Sequence, residues 1–372
     1  MQRLARVREH VAAAATLTVP AAAENWLAAE RRQAVADTPS GCHLTISLDN
    51  PGKTWGRIQI PFSDNHAGWG NKFVQLCVVN GDKPGKTALL LAGNHGDEYE
   101  GPTSLLKLAN CLKVTEVQGR VIIVPMMNQP AFEAGSRTSP IDAGNMNRAF
   151  PGHPYGTLTE RIADYFSRVL VPMCDYALDI HSGGKTLDII PFAAAHRLHN
   201  KTQAQACMTG ALLFGAPYTV LMVEIDPTQL YDTAVENQGK VFVTTELRGG
   251  GTTTPATMAI ADRGVQNFLK YTGIIAGEPE LPQVTQLLDM QNESCYHVSH
   301  DQGVLELKVA LGEQVRQGDL IASIHNHKRT GTAACHYYAA MDGIVLGRRH
   351  TPLTEIGDTI VVLASVLGDA KD

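Results

Sequence analysis

The sequence lacks the features that mark several classes of protein. Its seven cysteines are scattered, odd in number and include no Cys-x-x-Cys pair, which disfavours a disulfide framework and a thiolate zinc site. No stretch approaches the roughly 18 uncharged apolar residues of a membrane span, so we expect no membrane partner. The formal net charge is −6 and no run of Lys and Arg is interleaved with aromatic residues. A nucleic-acid partner is therefore not expected either.

The first forty residues are unusual in composition. Early arginines precede an alanine-rich run, a pattern that also occurs in targeting sequences. Glu9 and His10 lie at the head of that run, however, and Pro20 interrupts it. We therefore expect residues 1–40 to form an N-terminal helical extension. Together with the unpaired cysteines, this favours a cytoplasmic protein.

The next part of the chain changes from strands alone to alternating strands and helices. Short β-type runs at 43–50, 56–62 and 72–81 are separated by turn residues. Continuous apolar runs then predict strands buried on both faces, at 87–93, 120–128, 176–180, 219–225 and 241–247. Helical spacing of apolar residues occurs between them, at 102–112, 157–173 and 258–274, with Thr157 or Thr159 as a cap of the second helix. This alternation predicts an α/β fold, a largely parallel sheet flanked by helices, over residues 41–280.

Residues 281–372 have an all-β texture. Two stretches resemble each other, one with Gly318-Asp319 and the other with Gly357-Asp358 before a strand. This pattern is similar to the small β-sandwich or barrel of lipoyl and biotinyl carrier domains. A carrier would need a modifiable lysine in the turn between the halves, and the surroundings of Lys328 do not match one. We therefore expect a small C-terminal all-β domain that covers or assists the main one.

A candidate metal site lies at the ends of two predicted strands. His95 and Glu98 directly follow the strand 87–93, and His181 follows 176–180. Because ligands of open α/β sheets bind beyond the carboxyl ends of the strands, these side chains are expected to meet. Catalytic zinc commonly has three protein ligands of His and Glu type. Asp179 could orient a ligand imidazole through its second ring nitrogen.

A general base is expected at a third strand end. Glu246 ends the strand 241–247 and is followed by Gly249–Gly251. A carboxylate there could take a proton from water and deliver it to a leaving amine. Zinc lowers the pKa of its bound water to about 7, so a glutamate of ordinary pKa would suffice. Glu224 is the rival candidate, but its neighbourhood lacks the glycines that would open space for a substrate.

Cationic and amide donors occur in the loop 135–152. Arg137, Asn147 and Arg148 lie there among turn residues, between a buried strand and a helix. The guanidinium group of arginine presents a planar pair of donors that matches a carboxylate. These three residues are therefore candidates for holding an oxyanion and a substrate carboxylate.

Four motifs occur together in a fixed order: NHGDEYEG (94–101), NMNRAFPG (145–152), DIHSGG (179–184) and TTELRGGG (244–251). The set resembles the succinylglutamate desuccinylase/aspartoacylase family, relatives of the zinc carboxypeptidases, over about residues 43–366. The resemblance implies a zinc-carboxypeptidase-like sheet and one Zn²⁺ per chain, held by His95, Glu98 and His181. It further implies Glu246 as the base, Arg137 as the group that polarises the scissile carbonyl, and Asn147 and Arg148 as the carboxylate site.

The longer stretches of sequence around these motifs are most similar to family members that release acetate from an acetylated diamino acid in ectoine breakdown. The implied partner is then a small N-acetylated amino acid, Nα-acetyl-L-2,4-diaminobutyrate. Its free amine would need a carboxylate, for which Asp188, Glu224 and Asp226 all remain candidates. An aspartoacylase, a succinyl-amino-acid desuccinylase or a carboxypeptidase is the alternative. A homodimer is the default expectation for a soluble enzyme.

Overall fold

The structure is a computed structural model that describes residues 41–367 except Ile225. The predicted N-terminal helical extension, residues 1–40, lies outside the described residues. Within the described chain, the strands that build the main sheet are β1 (His43–Leu44), β2 (Gly52–Phe62), β3 (Gly70–Asn80), β4 (Lys83–Ala92), β5 (Gln118–Val124), β6 (Tyr176–His181), β7 (Leu187–Ile189), β8 (Phe192–His196), β9 (Tyr218–Met222), β10 (Val241–Glu246) and β11 (Gln286–Asp289).

The centre of the sheet is parallel, as predicted. Its order begins β1-β2-β3-β5-β4-β6-β10-β8-β9-β11. Strand β4 pairs in parallel with β5 and β6, and β6 pairs in parallel with β10. The carboxyl ends of β4, β6 and β10 therefore lie side by side, which is where the candidate site residues follow in the sequence. Strand β8 runs antiparallel to β10 and parallel to β9, so the sheet is mixed.

Alternate residues of the central strands enter two different cores. Leu90 faces one core together with Phe214 and Phe268, whereas Leu89 and Leu91 face the other. This is the period-two alternation of a strand with helices on both faces. Both faces are apolar, which explains why the strand reads as a continuous apolar run.

Six α-helices of at least six residues accompany the sheet in the described chain: α1 (Glu100–Cys111), α2 (Gln129–Ala134), α3 (Leu158–Tyr165), α4 (Lys201–Phe214), α5 (Tyr231–Glu236) and α6 (Pro255–Tyr271). Helix α3 begins at the predicted cap, since Thr157 accepts a hydrogen bond from the backbone N–H of Glu160. It continues through a π-helical turn, Phe166–Leu170, into a last α-turn, Val171–Met173. No helix between residues 41 and 367 combines the length and the apolar character needed to cross a membrane.

The C-terminal strands are β12 (Tyr296–Val298), β13 (Gly303–Leu307), β14 (Gln314–Val315), β15 (Leu320–His325), β16 (Cys335–Tyr338), β17 (Gly343–Arg349), β18 (Leu353–Thr354) and β19 (Thr359–Val366). Four of them form a small separate sheet, in the order β16-β15-β13-β18. The others extend the main sheet, because β19 pairs with β11 and β17 pairs with β7. The all-β texture of this region is confirmed, and the exact domain boundaries stay a prediction.

The structure differs from the sequence-based prediction in two places. The run 43–50 forms only the two-residue strand β1, because its later residues bend away into a turn before β2. Strand β8 and helix α4 were not predicted. The sequence of β8, FAAAH, is short and alanine-rich, so its strand conformation depends on pairing with β10 and β9 rather than on local propensity.

Candidate active site

The loop that follows β4 carries His95 and Glu98 into the sheet edge. Gly93 turns the chain there with φ +62°, a conformation that favours glycine. At Gly96 the requirement for glycine comes from close packing. A Cβ at Gly96 would lie 2.0 Å from the carbonyl carbon of Ala131, so glycine allows the loop to pack directly against α2.

The strand register brings the other two candidates to the same place. Ala92, the last residue of β4, pairs with Ile180, and His181 pairs with Glu246. The backbone N–H of Leu247 also donates to the carbonyl of His181 over 3.0 Å. His181 and Glu246 are therefore fixed beside each other by backbone hydrogen bonds on neighbouring strands.

The three predicted ligands converge in a buried group. Nδ1 of His95 lies 2.7 Å from Oε1 of Glu98, and Nδ1 of His181 lies 3.0 Å from Oε2 of the same carboxylate. One ligand atom from each residue lies within 4.8 Å of the others. Two imidazoles and a carboxylate are the donor set that catalytic zinc takes, and the group is compact enough to hold a metal ion.

Asp179 orients one of the imidazoles. Its Oδ2 lies 3.0 Å from Nε2 of His181 and accepts a hydrogen bond from the side chain of Asn94 over 3.1 Å. The Nδ1 atom of His181 is thereby left to face Glu98. This carboxylate–imidazole pair matches the arrangement that usually supports a metal-bound histidine.

Charges within the group keep its carboxylate ionised. Burial alone would raise the pKa of Glu98, but His95 and His181 beside it lower that pKa below its ordinary value. Burial lowers the pKa of His95, which favours its neutral form. For His181 burial acts the same way, but Asp179 and Glu98 outweigh it and raise the pKa. A carboxylate with imidazoles on either side favours a cation between them.

Glu246 lines the same cavity as the histidines. Burial, followed by the negative charge of Glu98, raises the pKa of Glu246 to about 8, and its Oε2 has no hydrogen-bond partner. Its position at the end of β10 agrees with the prediction.

The three predicted donors also reach the cavity. Nη1 of Arg137 lies 3.6 Å from Oε1 of Glu98, and Arg148 and Asn147 belong to the cavity wall. Oδ1 of Asn147 accepts a hydrogen bond from the backbone N–H of Tyr231 over 2.9 Å. The amide is thus oriented with Nδ2 as its available donor.

The three candidates for binding an amine are separated by the structure. Asp188 forms ion pairs with Arg348 and Arg248, at 3.2 Å and 3.6 Å. Asp226 is exposed and accepts hydrogen bonds from Thr228. Glu224, in contrast, lines the cavity.

Sequence reasoning missed a second cluster of ionisable side chains at this cavity. Asp232 lines the wall with Glu224, and His196 and Glu236 stand behind them. In the sequence, His196 ends the short run PFAAAH, residues 191–196. The run gives no indication that a helix some 35 residues later would supply two carboxylates.

The chain matches the model of the succinylglutamate desuccinylase/aspartoacylase catalytic domain over residues 84–272. It is 52% identical over 330 residues to the N-alpha-acetyl-L-2,4-diaminobutyric acid deacetylase of Halomonas elongata, which covers 88% of this chain and 96% of that protein.

Two solved structures are similar over nearly their whole length. The product-bound ectoine utilization protein EutE of Ruegeria pomeroyi is 46% identical with a TM-score of 0.85, covering 88% of this chain and 99% of its own. A succinylglutamate desuccinylase from Silicibacter is 47% identical with a TM-score of 0.84, covering 89% and 99%. The predicted α/β architecture is confirmed by both.

Proposed function

Because the chain belongs to the succinylglutamate desuccinylase/aspartoacylase family, we propose that it is a zinc-dependent deacetylase of an N-acetylated amino acid. The substrate is Nα-acetyl-L-2,4-diaminobutyrate, cleaved to L-2,4-diaminobutyrate and acetate in ectoine breakdown. The observation that carries this proposal is the convergence of His95, Glu98 and His181 with Glu246 in one cavity. The name of the Halomonas relative supports the choice of substrate.

His95, Glu98 and His181 hold one zinc ion per chain in this proposal. Their mutual distances and the buried, ionised carboxylate of Glu98 support it. A bound zinc ion supplies Lewis acidity, which polarises a carbonyl oxygen and acidifies water. Asp179 keeps the ring of His181 in place through its contact with Nε2.

Glu246 is the proton carrier of the reaction. It accepts a proton from the attacking water as the new bond forms between the water oxygen and the acetyl carbonyl carbon. It then delivers that proton to the amide nitrogen as the carbon–nitrogen bond breaks. The raised pKa of Glu246 makes its ionised form a stronger base, and a cation held by the metal group would favour that ionised form. Its register position beside His181 keeps it at the metal group.

The loop donors bind and polarise the substrate. Arg137, 3.6 Å from Glu98, stabilises negative charge that develops on the acetyl oxygen. Arg148 and the Nδ2 atom of Asn147 hold the α-carboxylate, and the hydrogen bond from Tyr231 to Asn147 fixes the amide for that task.

The proposal extends to the setting of the enzyme. None of the described cysteines forms a disulfide bond, which suits the reducing cytoplasm. A homodimer is proposed because closed twofold assemblies are the commonest among soluble enzymes. The partner is a small molecule.

A substrate panel tests the function. Zinc-loaded protein is assayed for release of the free amine from Nα-acetyl-2,4-diaminobutyrate, N-acetyl-aspartate and N-succinyl-glutamate. We expect the first compound to have the highest kcat/KM. Preferred cleavage of N-acetyl-aspartate or N-succinyl-glutamate would instead indicate an aspartoacylase or a desuccinylase.

A further inference from the structure

A second cluster of ionisable side chains lies at the cavity, and the deacetylation mechanism does not use it. His196 is the last residue of β8, and Glu224 follows the end of the neighbouring parallel strand β9, where His196 pairs with Met222. Asp232 and Glu236 come from α5. Glu224 and Asp232 face the same cavity as Glu246 and the metal group.

The imidazole of His196 lies between the carboxylates. Nδ1 is 2.9 Å from Oε1 of Glu236, which orients the ring. Nε2 is 3.7 Å from Oε1 of Glu224 and 3.8 Å from Oδ2 of Asp232. Both distances exceed a hydrogen bond, and Nε2 is buried without a partner. A gap therefore separates the ring from the two carboxylates of the cavity wall.

Asp232 supplies an independent sign of a missing ligand. The residue is only 7% exposed. Its Oδ1 accepts hydrogen bonds from Thr233, whereas no described residue donates one to Oδ2. This oxygen lies 3.8 Å from Nε2 of His196, beyond hydrogen-bond distance, and Asp232 lines the cavity. A cation with hydrogen-bond donors in the cavity would therefore stabilise the carboxylate.

We propose that Glu224 and Asp232 bind the side-chain ammonium group of a diamino-acid substrate. This inference deepens the proposed function and rests on it, since the ammonium is the feature that separates diaminobutyrate from other acetylated amino acids. Three N–H donors of an ammonium can reach both carboxylates at once. Specificity then follows, because a substrate without the ammonium would leave two carboxylates of the cavity unpaired.

A second metal ion is the competing occupant. His196, Glu224 and Asp232 each offer an atom within 4.8 Å of the others. Nδ1 of His196 faces Glu236, so only Nε2 of this ring could bind an ion. The three carboxylates outnumber the one imidazole, so the group attracts an ammonium, and the zinc stoichiometry measured below decides between the two occupants.

The test compares two substrates that differ only at the charged end. Nα-acetylnorvaline carries a methyl group where Nα-acetyl-2,4-diaminobutyrate carries the ammonium. For the zinc-loaded enzyme we expect kcat/KM to favour the diamino compound by about 10²- to 10³-fold. In Asp232→Asn and in Glu224→Gln the preference should fall to about tenfold or less, because kcat/KM falls more for the diamino compound than for acetylnorvaline. Asp226→Asn, an exposed carboxylate of the same segment, should keep the full preference.

Calorimetric binding of 2,4-diaminobutyrate and norvaline separates this inference from the proposed function. Weaker binding of diaminobutyrate alone in both variants supports the ammonium site even where no acetyl compound is cleaved. An unchanged preference and unchanged binding in both folded variants would overturn it. A second equivalent of Zn²⁺, bound by the wild type and lost in Asp232→Asn, would overturn it in favour of a metal site.

Discussion

Glu246 lies directly opposite His181 on the neighbouring parallel strand, as a register pair of β10 and β6. Backbone hydrogen bonds, rather than flexible side chains, thus set the position of the proposed base relative to the proposed metal ligand. Parallel pairing also aligns the ends of the two strands at one edge of the sheet. The site therefore depends on the register of the sheet as much as on its residue types.

Replacing Glu246 by glutamine should abolish most turnover without loss of metal. The amide has nearly the shape of the carboxylate but cannot accept the proton of water. We expect kcat to fall by about 10²- to 10⁴-fold, while zinc content measured by atomic absorption stays at the wild-type level. Activity close to that of the wild type would remove Glu246 as the base.

Much of this site could be predicted, because its residues follow apolar strands. The runs that contain Leu89, Leu91 and Leu178 are buried on both faces, so their apolar character is visible in sequence. His95, His181 and Glu246 each follow or end such a run, and parallel pairing then places them together.

The rest depends on pairings between distant segments. Strand β8 lies in the sheet because it pairs with β10 and β9, and its pairing with β9 places His196 near Glu224. Its alanine-rich sequence carries no strand signal of its own. Asp232 and Glu236 belong to a six-residue helix, which is too short for a periodic pattern to identify. The sequence therefore offered Glu224 as one of three candidates for the amine, whereas Asp232 could be found only in three dimensions.

Asp179→Asn should weaken metal binding more than it weakens the fold. Asparagine can still accept a hydrogen bond from Nε2 of His181, but the negative charge that raises the pKa of that ring is lost. We expect metal affinity, measured by competition with a chelator, to fall by about 10- to 100-fold. Asp262→Asn removes an exposed carboxylate paired with Lys107 and serves as the control. Equal affinities in the two variants would contradict the supporting role of Asp179.

Gly96→Ala should lower stability and activity together. The added Cβ would lie 2.0 Å from the carbonyl carbon of Ala131, so the loop carrying His95 and Glu98 must move away from α2. Such overpacking typically costs about 1–3 kcal/mol, which a urea titration would measure. Gly68→Ala is the matched control, since nothing lies within 4 Å of its added Cβ. If Gly96→Ala has the same urea midpoint as the wild type, the loop accommodates the added methyl group without loss of stability.

Binding of a diamino substrate should weaken in mild acid. Burial, with the charges of Glu224 and Glu236 and against that of His196, raises the pKa of Asp232 to about 6. Above that pH the carboxylate is charged and attracts an ammonium; as the pH falls through 6 it is protonated and the attraction is lost.

The check uses the same pair of substrates over a range of pH. We expect KM for Nα-acetyl-2,4-diaminobutyrate to rise relative to that for Nα-acetylnorvaline as the pH is lowered from about 8 to about 5. Changes at the metal group affect both compounds, so the ratio isolates the charged end of the substrate. In Asp232→Asn the ratio should lose most of its pH dependence around pH 6, because the carboxyl group with the raised pKa is gone. A ratio that is flat in the wild type would show that Asp232 does not contact the ammonium.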